Sequence, residues 1–399
     1  MRAILVSPSD RAHLRTAGDR MPLGVLYISE ALKENGIKNK VIDMNHVSWK
    51  DAINSVRLEK PDILGLSVMT PSYTQMHRFA QEVKGSVGKV IAGGFHVTHV
   101  PGSFDGLATE VSGYGENGLL NALESDSERV SGDFDINQFP IPNRNALDKS
   151  LYNFTLEGLP ATTMMVQRGC PFTCGFCSNF DKTQKRRELE NIAQELDELA
   201  LDRYEAIYFL DDSFTLNRQF AKRVAEEVGK RGFKYRVQTR ANLLDEEMAK
   251  VLSETGCITV GMGIESGDNI VLESAGKRQR IEDTTNSLRL LKRYGIRAKG
   301  HFIIGLPNET IHSAINTIQY ADELRKESLL SSADFYSLVC FPGSPIYRSP
   351  EKYGIEILDS RPNKMYSGER KLRVTTQTER LKAPEIKRLI QLARDKWKS

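Results

Sequence analysis

Three cysteines crowd one short loop, Gln167-Arg168-Gly169-Cys170-Pro171-Phe172-Thr173-Cys174-Gly175-Phe176-Cys177, at a spacing of Cys-x3-Cys-x2-Cys. Thiolates are soft ligands, and a cluster of them selects zinc, copper(I) or an iron–sulfur centre. A structural zinc site closes with four protein ligands, and this loop offers three. The two other cysteines, Cys257 and Cys340, each stand alone in an apolar run. Three thiolates suit a [4Fe–4S] cluster that leaves one iron without a protein ligand and open to chemistry. A zinc loop completed by Cys257 or a histidine is the alternative.

The loop resembles the signature of the radical SAM enzymes, both in its spacing and in the aromatic Phe176 before the last cysteine. The resemblance implies that Cys170, Cys174 and Cys177 hold the cluster. It also implies that the open iron binds S-adenosylmethionine (SAM) and that reduction releases a 5′-deoxyadenosyl radical. The cofactors carry that chemistry, and the protein positions them and excludes water. An electron donor such as flavodoxin or ferredoxin is then an expected partner.

The elements that must carry this loop read as a repeated βα pattern from residue 161 onward. Short apolar runs at 163–167, 206–210, 235–238, 258–264, 298–304 and 334–340 alternate with helical stretches such as 187–201, where Leu189, Ile192, Leu196 and Leu199 share a face. Polar and turn-forming residues gather where the strands finish. The first strand runs into the cysteine loop, and the next four reach Asp211-Asp212-Ser213, Thr239-Arg240, Glu265-Ser266-Gly267 and Gly305-Leu306-Pro307. In a β/α barrel that rim is the active-site face. Six units instead of eight imply an incomplete barrel, as in the radical SAM fold. By that resemblance Asp211 and Asp212 lie near the methionine amino group, which wants carboxylate acceptors. Arg240 pairs with the methionine carboxylate or a nearby acid. Glu265 and Ser266 meet the ribose, and Phe176 with the Gly305–Pro307 turn flanks adenine. A strand-end carboxylate can also simply cap the next helix, and Arg240 can be half of a surface ion pair. No catalytic acid, base or nucleophile stands out.

Residues 1–125 show a second βα series, with strands at 3–6, 40–44, 63–68 and 89–92, a short one near Val111, and helices at 23–34 and 73–85. Such units build a parallel sheet covered on both faces, with ligands beyond the carboxyl ends of its strands. Distinctive residues lie at those ends: Met21-Pro22-Leu23-Gly24, Ser67-Val68-Met69-Thr70-Pro71-Ser72-Tyr73, Gly93-Gly94-Phe95-His96 and Gly113-Tyr114-Gly115-Glu116. These resemble the cobalamin-binding domain fused to many radical SAM enzymes. The resemblance implies contacts to cobalamin from Leu23, Gly24, Ser67, Met69, Thr70, Tyr73, Gly93, Gly94, His96, Gly113 and Glu116. Glycines let backbone approach a large ligand, Ser67 is placed for the nucleotide tail, His96 lines the cleft, and His99 is an exposed loop residue. The Asp-x-His-x-x-Gly motif that supplies a cobalt ligand elsewhere is missing. The segment Ser7-Pro8-Ser9-Asp10-Arg11-Ala12-His13-Leu14 has its Asp and His three apart. Cobalamin is therefore expected without a histidine from this loop. A domain that has lost its ligand and serves as scaffold is the alternative.

Composition bounds the rest. The 399 residues suit two domains and a tail, and 40% hydrophobic content is enough for ordinary cores. A net charge of +3 implies no nucleic-acid or membrane partner. No stretch approaches the ~20 apolar residues of a membrane span. The odd cysteine count argues against disulfides and for a reducing, cytoplasmic setting. The expected organisation is a Rossmann-like, cobalamin-type domain at 1–125 and a linker at 126–160. A partial (β/α)6 radical SAM barrel at 161–345 and a C-terminal helical cap at 346–399 follow, the cap ending in a basic amphipathic helix. The expected activity is C-methylation of an unactivated carbon, with cobalamin as methyl carrier. Cyclisation, rearrangement or oxidation without methyl transfer, and a non-catalytic cobalamin or SAM sensor, are the other readings. The substrate, a small molecule, lipid or peptide, is not legible.

Overall fold

A computed structural model describes residues 1–11, 18–133, 140–366 and 372–398. The chain divides into two compact units. One is Met1–Phe154 with the described part of Arg361–Arg370, and the other is Thr155–Ser360 with Lys371–Ser399.

The first unit alternates β1 (Arg2–Ser7), α1 (Leu23–Glu34), β2 (Lys38–Asp43), α2 (Trp49–Glu59), β3 (Ile63–Ser67), α3 (Tyr73–Val83), β4 (Lys89–Gly93), α4 (Phe95–His99), β5 (Thr109–Gly113), α5 (Gly115–Glu124) and β6 (Arg129–Gly132). All strands pair in parallel, in the order β2-β1-β3-β4-β5-β6. Alternate residues of one strand feed opposite cores: Ile4 and Val6 join one apolar cluster, Ala3 and Leu5 the other. The order reverses between β1 and β3, and ligands of doubly wound sheets bind beyond such a switch point. Two elements escape a pattern reading. Helix α2 buries only Ala52, Ile53 and Val56, and Ser48 caps it by accepting from Asp51 N. Strand β6 lies in the stretch expected to be linker. The turn at 362–364 packs back on residues 70–72 and on α3, and Met365 is buried.

The second unit opens with β7 (Thr155–Leu156) and β8 (Leu159–Met164), an antiparallel pair. It continues through β9 (Gln167–Arg168), β10 (Lys185–Arg186), α6 (Leu189–Leu201), β11 (Ala206–Phe209), α7 (Arg218–Lys230), β12 (Lys234–Thr239), α8 (Glu246–Glu254), β13 (Cys257–Glu265), α9 (Asn269–Ser274), α10 (Ile281–Arg293), β14 (Arg297–Ile304), α11 (Ile311–Lys326) and β15 (Ser332–Ser337). The sheet runs β15-β14-β13-β12-β11-β8-β7, six parallel strands with β7 antiparallel at one edge. Its ends do not pair, so the barrel is partial, as the six-unit count predicts. One face is apolar against the helices: Val237, Val260, Met262, Phe302 and Phe335 share a core with α6, α7, α8, α10 and α11. The other carries Arg236, Gln238, Lys299 and His301, alternating with those core positions.

Two strand limits differ from the apolar runs. The run through Leu338 and Cys340 leaves the sheet after Ser337, because those side chains fill a separate cluster with Phe176, Val271 and Ile346. The first strand ends at Met164, since the next residues turn into the cysteine loop. Beyond the sheet come α12 (Pro345–Arg348), the antiparallel pair β16 (Ile355–Ile357) and β17 (Thr376–Thr378), and α13 (Ala383–Lys398). Helix α13 lies on β15 and α11, with Ile386, Leu389, Ile390 and Ala393 in the main core.

Candidate active site

The cysteine loop spans β9 to β10, beyond the carboxyl end of β8. Its base is tied at both ends. Asp211, after β11, turns one carboxylate oxygen to Val166 N (3.1 Å) and Gln167 N (2.6 Å). Gln167 donates to Ser213 O and Phe214 O. The buried Arg187 donates to Met165 O at 2.8 Å and pairs with Glu195 at 2.5 Å, while its own N–H reaches Val166 O. Gly169 has φ +88°, and a Cβ there would sit 1.8 Å from Thr183 O, so the turn into Cys170 needs glycine. Gly175 N donates to Ala275 O, and Gly175 O accepts from Ile346 N, which anchors the loop's far side.

The three thiols share one environment. Cys174 is buried, and Cys170 and Cys177 are partly so. Burial first, then the charges of Cys174 and Asp212, push the Cys170 and Cys177 thiols up. Binding iron as thiolates therefore releases protons. Arg240, after β12, lies 3.2 Å from Cys174 Sγ, stacks on the Phe172 ring at 3.9 Å, and donates to Lys277 O. A guanidinium there offsets thiolate charge. Cys257 is buried at the opposite end of β13, with Sγ directed at Thr259 O, and Cys340 lies in the apolar cluster around Phe176. Among the described residues no group of three or more His, Cys, Asp or Glu side chains forms a single-ion cage. A cuboidal cluster holds its thiolates farther apart than one ion does, and the donor set of three soft ligands with a cation beside them fits it.

The expected SAM residues fall into two groups. Asp212, Arg240, Glu265 and Phe176 surround the loop. Asp212 accepts from Asn179 of the loop at 2.7 Å. At the end of β13 a register shift between Gly263 and Glu265 re-aims Glu265, whose φ is +66°. Its carboxylate pairs with Lys277 Nζ at 2.7 Å, both side chains being buried, and Lys277 Nζ lies 6.0 Å from the centre of the Phe176 ring. A Cβ on Gly263 would collide with this pair. The other group is committed internally. Ser266 is fully buried, its hydroxyl engaged with Thr317 Oγ1 at 3.0 Å and Asp268 N at 3.2 Å, which spends the group expected at the ribose. Asp211 serves the loop's backbone with one oxygen, and its other oxygen is buried without a hydrogen-bond partner. Burial pushes its carboxyl up to about 7 against the pull of the two N–H donors. Gly305 N donates to Glu309, whose buried carboxyl is pushed up to about 8, and Pro307 is buried beside it. Lys277, Asn179, Gln167 and Arg187 were not legible beforehand.

In the first unit, Ser67 ends β3 at the switch point and Met69 and Thr70 follow it, and Ser67 Oγ has no hydrogen-bond partner among the described residues. Met69 and Phe95 are exposed, as is Gly24 in the first turn of α1, where Leu23 is buried. Thr70, Tyr73 and His96 interlock. His96 Nδ1 is 3.3 Å from Thr70 Oγ1, its ring lies 4.3 Å from that of Tyr73, and Tyr73 OH donates to Ser103 O. His96 is thus buried rather than a lining residue, and burial lowers its pKa to about 4. Gly94 (φ +115°) and Gly113 (φ +85°) are required by their own fold, since a Cβ would meet Val68 O or Gly132 O at 2.7 Å. A Cβ on Gly93 would make only ordinary contact with Val111, and Glu116 is buried in α5. His13 lies outside the described residues. The Ser67 hydroxyl at the switch point, without a hydrogen-bond partner among the described residues, fits a cofactor tail.

The radical SAM superfamily pattern matches residues 164–321, and the B12 binding domain pattern matches 14–123. An uncharacterized methyltransferase of Pyrococcus horikoshii is 29% identical over 387 residues, which cover 87% of this chain and 82% of the relative. The anaerobic magnesium-protoporphyrin IX monomethyl ester cyclase of Rubrivivax gelatinosus is 27% identical over 365 residues, covering 80% of this chain and 65% of the relative. The radical SAM methyltransferase TsrM of Kitasatospora setae, solved with tryptophan substrate and a SAM analog, shares the fold. Its TM-score is 0.77 at 18% identity, covering 100% of this chain and 88% of that one. The cofactors of these two domains are a [4Fe–4S] cluster, SAM and cobalamin. The chain is an enzyme of the radical SAM superfamily that carries a B12-binding domain.

Proposed function

We propose that the chain is a C-methyltransferase acting on an unactivated carbon. The observation that carries this reading is the three-thiol loop, tied at its base to the carboxyl-end rim and flanked by Arg240. When bound, the cluster and SAM supply a hydrogen-abstracting radical, and cobalamin supplies a methyl group. The chain's own part is to hold and shield. Cys170, Cys174 and Cys177 grip the cluster, and Arg240 offsets its charge. The Glu265–Lys277 pair and Asp212 present charged and polar groups beside the loop, and Phe176 contributes an apolar wall. Ser67, Met69 and Phe95 offer a hydroxyl and exposed apolar surface to cobalamin. The relative named as a methyltransferase supports the methyl-transfer half.

Supply of electrons by a flavodoxin or ferredoxin, and a reducing cytoplasmic setting, complete the proposal. No helix of the described residues is long and apolar enough to cross a membrane. The test is anaerobic reconstitution with cobalamin and methyl-deuterated SAM. The reading expects iron–sulfur absorbance that Cys174→Ala abolishes, cobalamin stoichiometric with the chain, and a deuterated methyl on the product. Iron–sulfur incorporation without cobalamin would sink the methyl relay and leave the radical chemistry. The similarity to a ring-forming cyclase favours one other reading, radical cyclisation or oxidation. Its product would carry no label.

A further inference from the structure

The concave face of the half-barrel holds a polar group that the cluster site does not use. Arg236 on β12 projects into this hollow and stacks on the Tyr208 ring at 4.6 Å. Its Nε is buried without a hydrogen-bond partner, and its guanidinium meets no carboxylate among the described residues. The neighbouring strand places Thr259 in register with Arg236, and Thr259 Oγ1 is likewise buried and unpartnered. His301 on β14 completes the set. Its Nδ1 is 3.4 Å from Asp334 Oδ2, which orients the ring, and its Nε2 is buried without a partner. Asp334 is already balanced by Lys299 at 2.8 Å, which leaves Arg236 without a carboxylate among the described residues. Between Arg236 and His301 stands Gly261. A methyl on it would lie 3.4 Å from Arg236 Nη2 and 3.6 Å from His301 Nε2, so one small group above Gly261 reaches both nitrogens.

Buried polar atoms are ordinarily paired, and among the described residues Arg236 Nε, Thr259 Oγ1 and His301 Nε2 have no partner. We infer that this hollow is a subsite for an oxyanion, a carboxylate or phosphate, of the enzyme's substrate. Arg236 supplies the charge and the N–H donors and Thr259 a hydroxyl, while His301, whose Nδ1 faces Asp334, adds an Nε2–H donor when its ring is doubly protonated. The missing side chain at Gly261 makes the room. That the anion belongs to the substrate rests on the function proposed above, whereas the anion site itself rests only on these residues.

The test uses the full reconstituted chain and the same chain before reconstitution. Each is titrated calorimetrically with benzoate and with inorganic phosphate at fixed ionic strength. Either anion is expected to bind both forms, and the tighter one identifies the chemical source. Arg236→Gln, which removes a charge that meets no carboxylate among the described residues, should weaken that binding about tenfold or more. Gly261→Ala makes only ordinary contacts in the fold, so it should block the site while leaving cluster absorbance unchanged. Arg236→Lys should recover part of the affinity. No binding of either anion to the wild type, or equal binding to wild type, Arg236→Gln and Gly261→Ala, overturns the inference. Because the unreconstituted chain is measured too, failure of the radical reading would leave the anion result standing, and the reverse.

Discussion

Asp211 has a larger structural task than its position suggests, and replacing it tests how the cluster loop is held. Its buried carboxyl accepts from both Val166 N and Gln167 N. Alanine leaves two buried N–H groups unpaired at about 1–3 kcal/mol each, so Asp211→Ala should cost about 2–6 kcal/mol. Asparagine keeps an oxygen for both donors and, like the protonated carboxyl, is neutral, so it should stay within about 1 kcal/mol of wild type near pH 4. The pH dependence has a definite sign. Burial raises the folded-state pKa from 3.8 to about 7, so the folded chain binds this proton more tightly than the unfolded chain. Its contribution is present in full below about pH 4 and is lost as pH rises through 7. Relative to Asp211→Asn, which cannot ionise, wild type should therefore lose stability across that window, by at most about 1.4 kcal/mol per pH unit. The assay is anaerobic urea unfolding from pH 4 to 8, paired with iron content after reconstitution. Asp211→Ala is expected to hold little iron because the start of its loop is untethered. An alanine variant with the wild-type midpoint and full iron would refute the argument.

Lys277→Met strands the buried Glu265 carboxylate and should destabilise the chain by about 3–5 kcal/mol. A double variant with Glu265→Gln should regain most of that in urea unfolding. Gly169→Ala, at φ +88° and 1.8 Å from Thr183 O, should abolish iron–sulfur absorbance after reconstitution while far-ultraviolet circular dichroism stays near wild type. Glu309, buried with a folded-state pKa of about 8, contributes stability that is lost as pH rises from about 4.5 through 8. Glu309→Gln should flatten that part of the stability–pH profile, measured by thermal unfolding.

Much of this was readable from the chain because the physics is local. Short apolar runs ended by polar residues mark parallel strands buried against helices, so all six barrel strands and the positions of Cys170, Asp212, Arg240 and Glu265 at their ends follow from rhythm alone. Where a side chain's partner is distant, the sequence is silent. Lys277 reaches Glu265 by folding back after α9, and nothing around Ala275-Gly276-Lys277 announces a buried cation. Arg187 reads as the first residue of a helix, yet it closes the base of the cysteine loop. Ser266 reads as a free rim hydroxyl, but Thr317 of α11 takes it. Helix α2 has too few apolar residues to stand out, and β6 is too short. The glycines of the first unit, read as room for a ligand, prove at Gly94 and Gly113 to be required by neighbouring carbonyls.

The central claim is a cluster held by three thiolates with one iron left open. Mössbauer spectroscopy of the reconstituted chain, before and after adding SAM, addresses it directly. The account predicts that the spectrum of a single iron of the cluster changes on adding SAM, and that Cys174→Ala assembles no such cluster. A spectrum indifferent to SAM, or an intact cluster without Cys174, would contradict it.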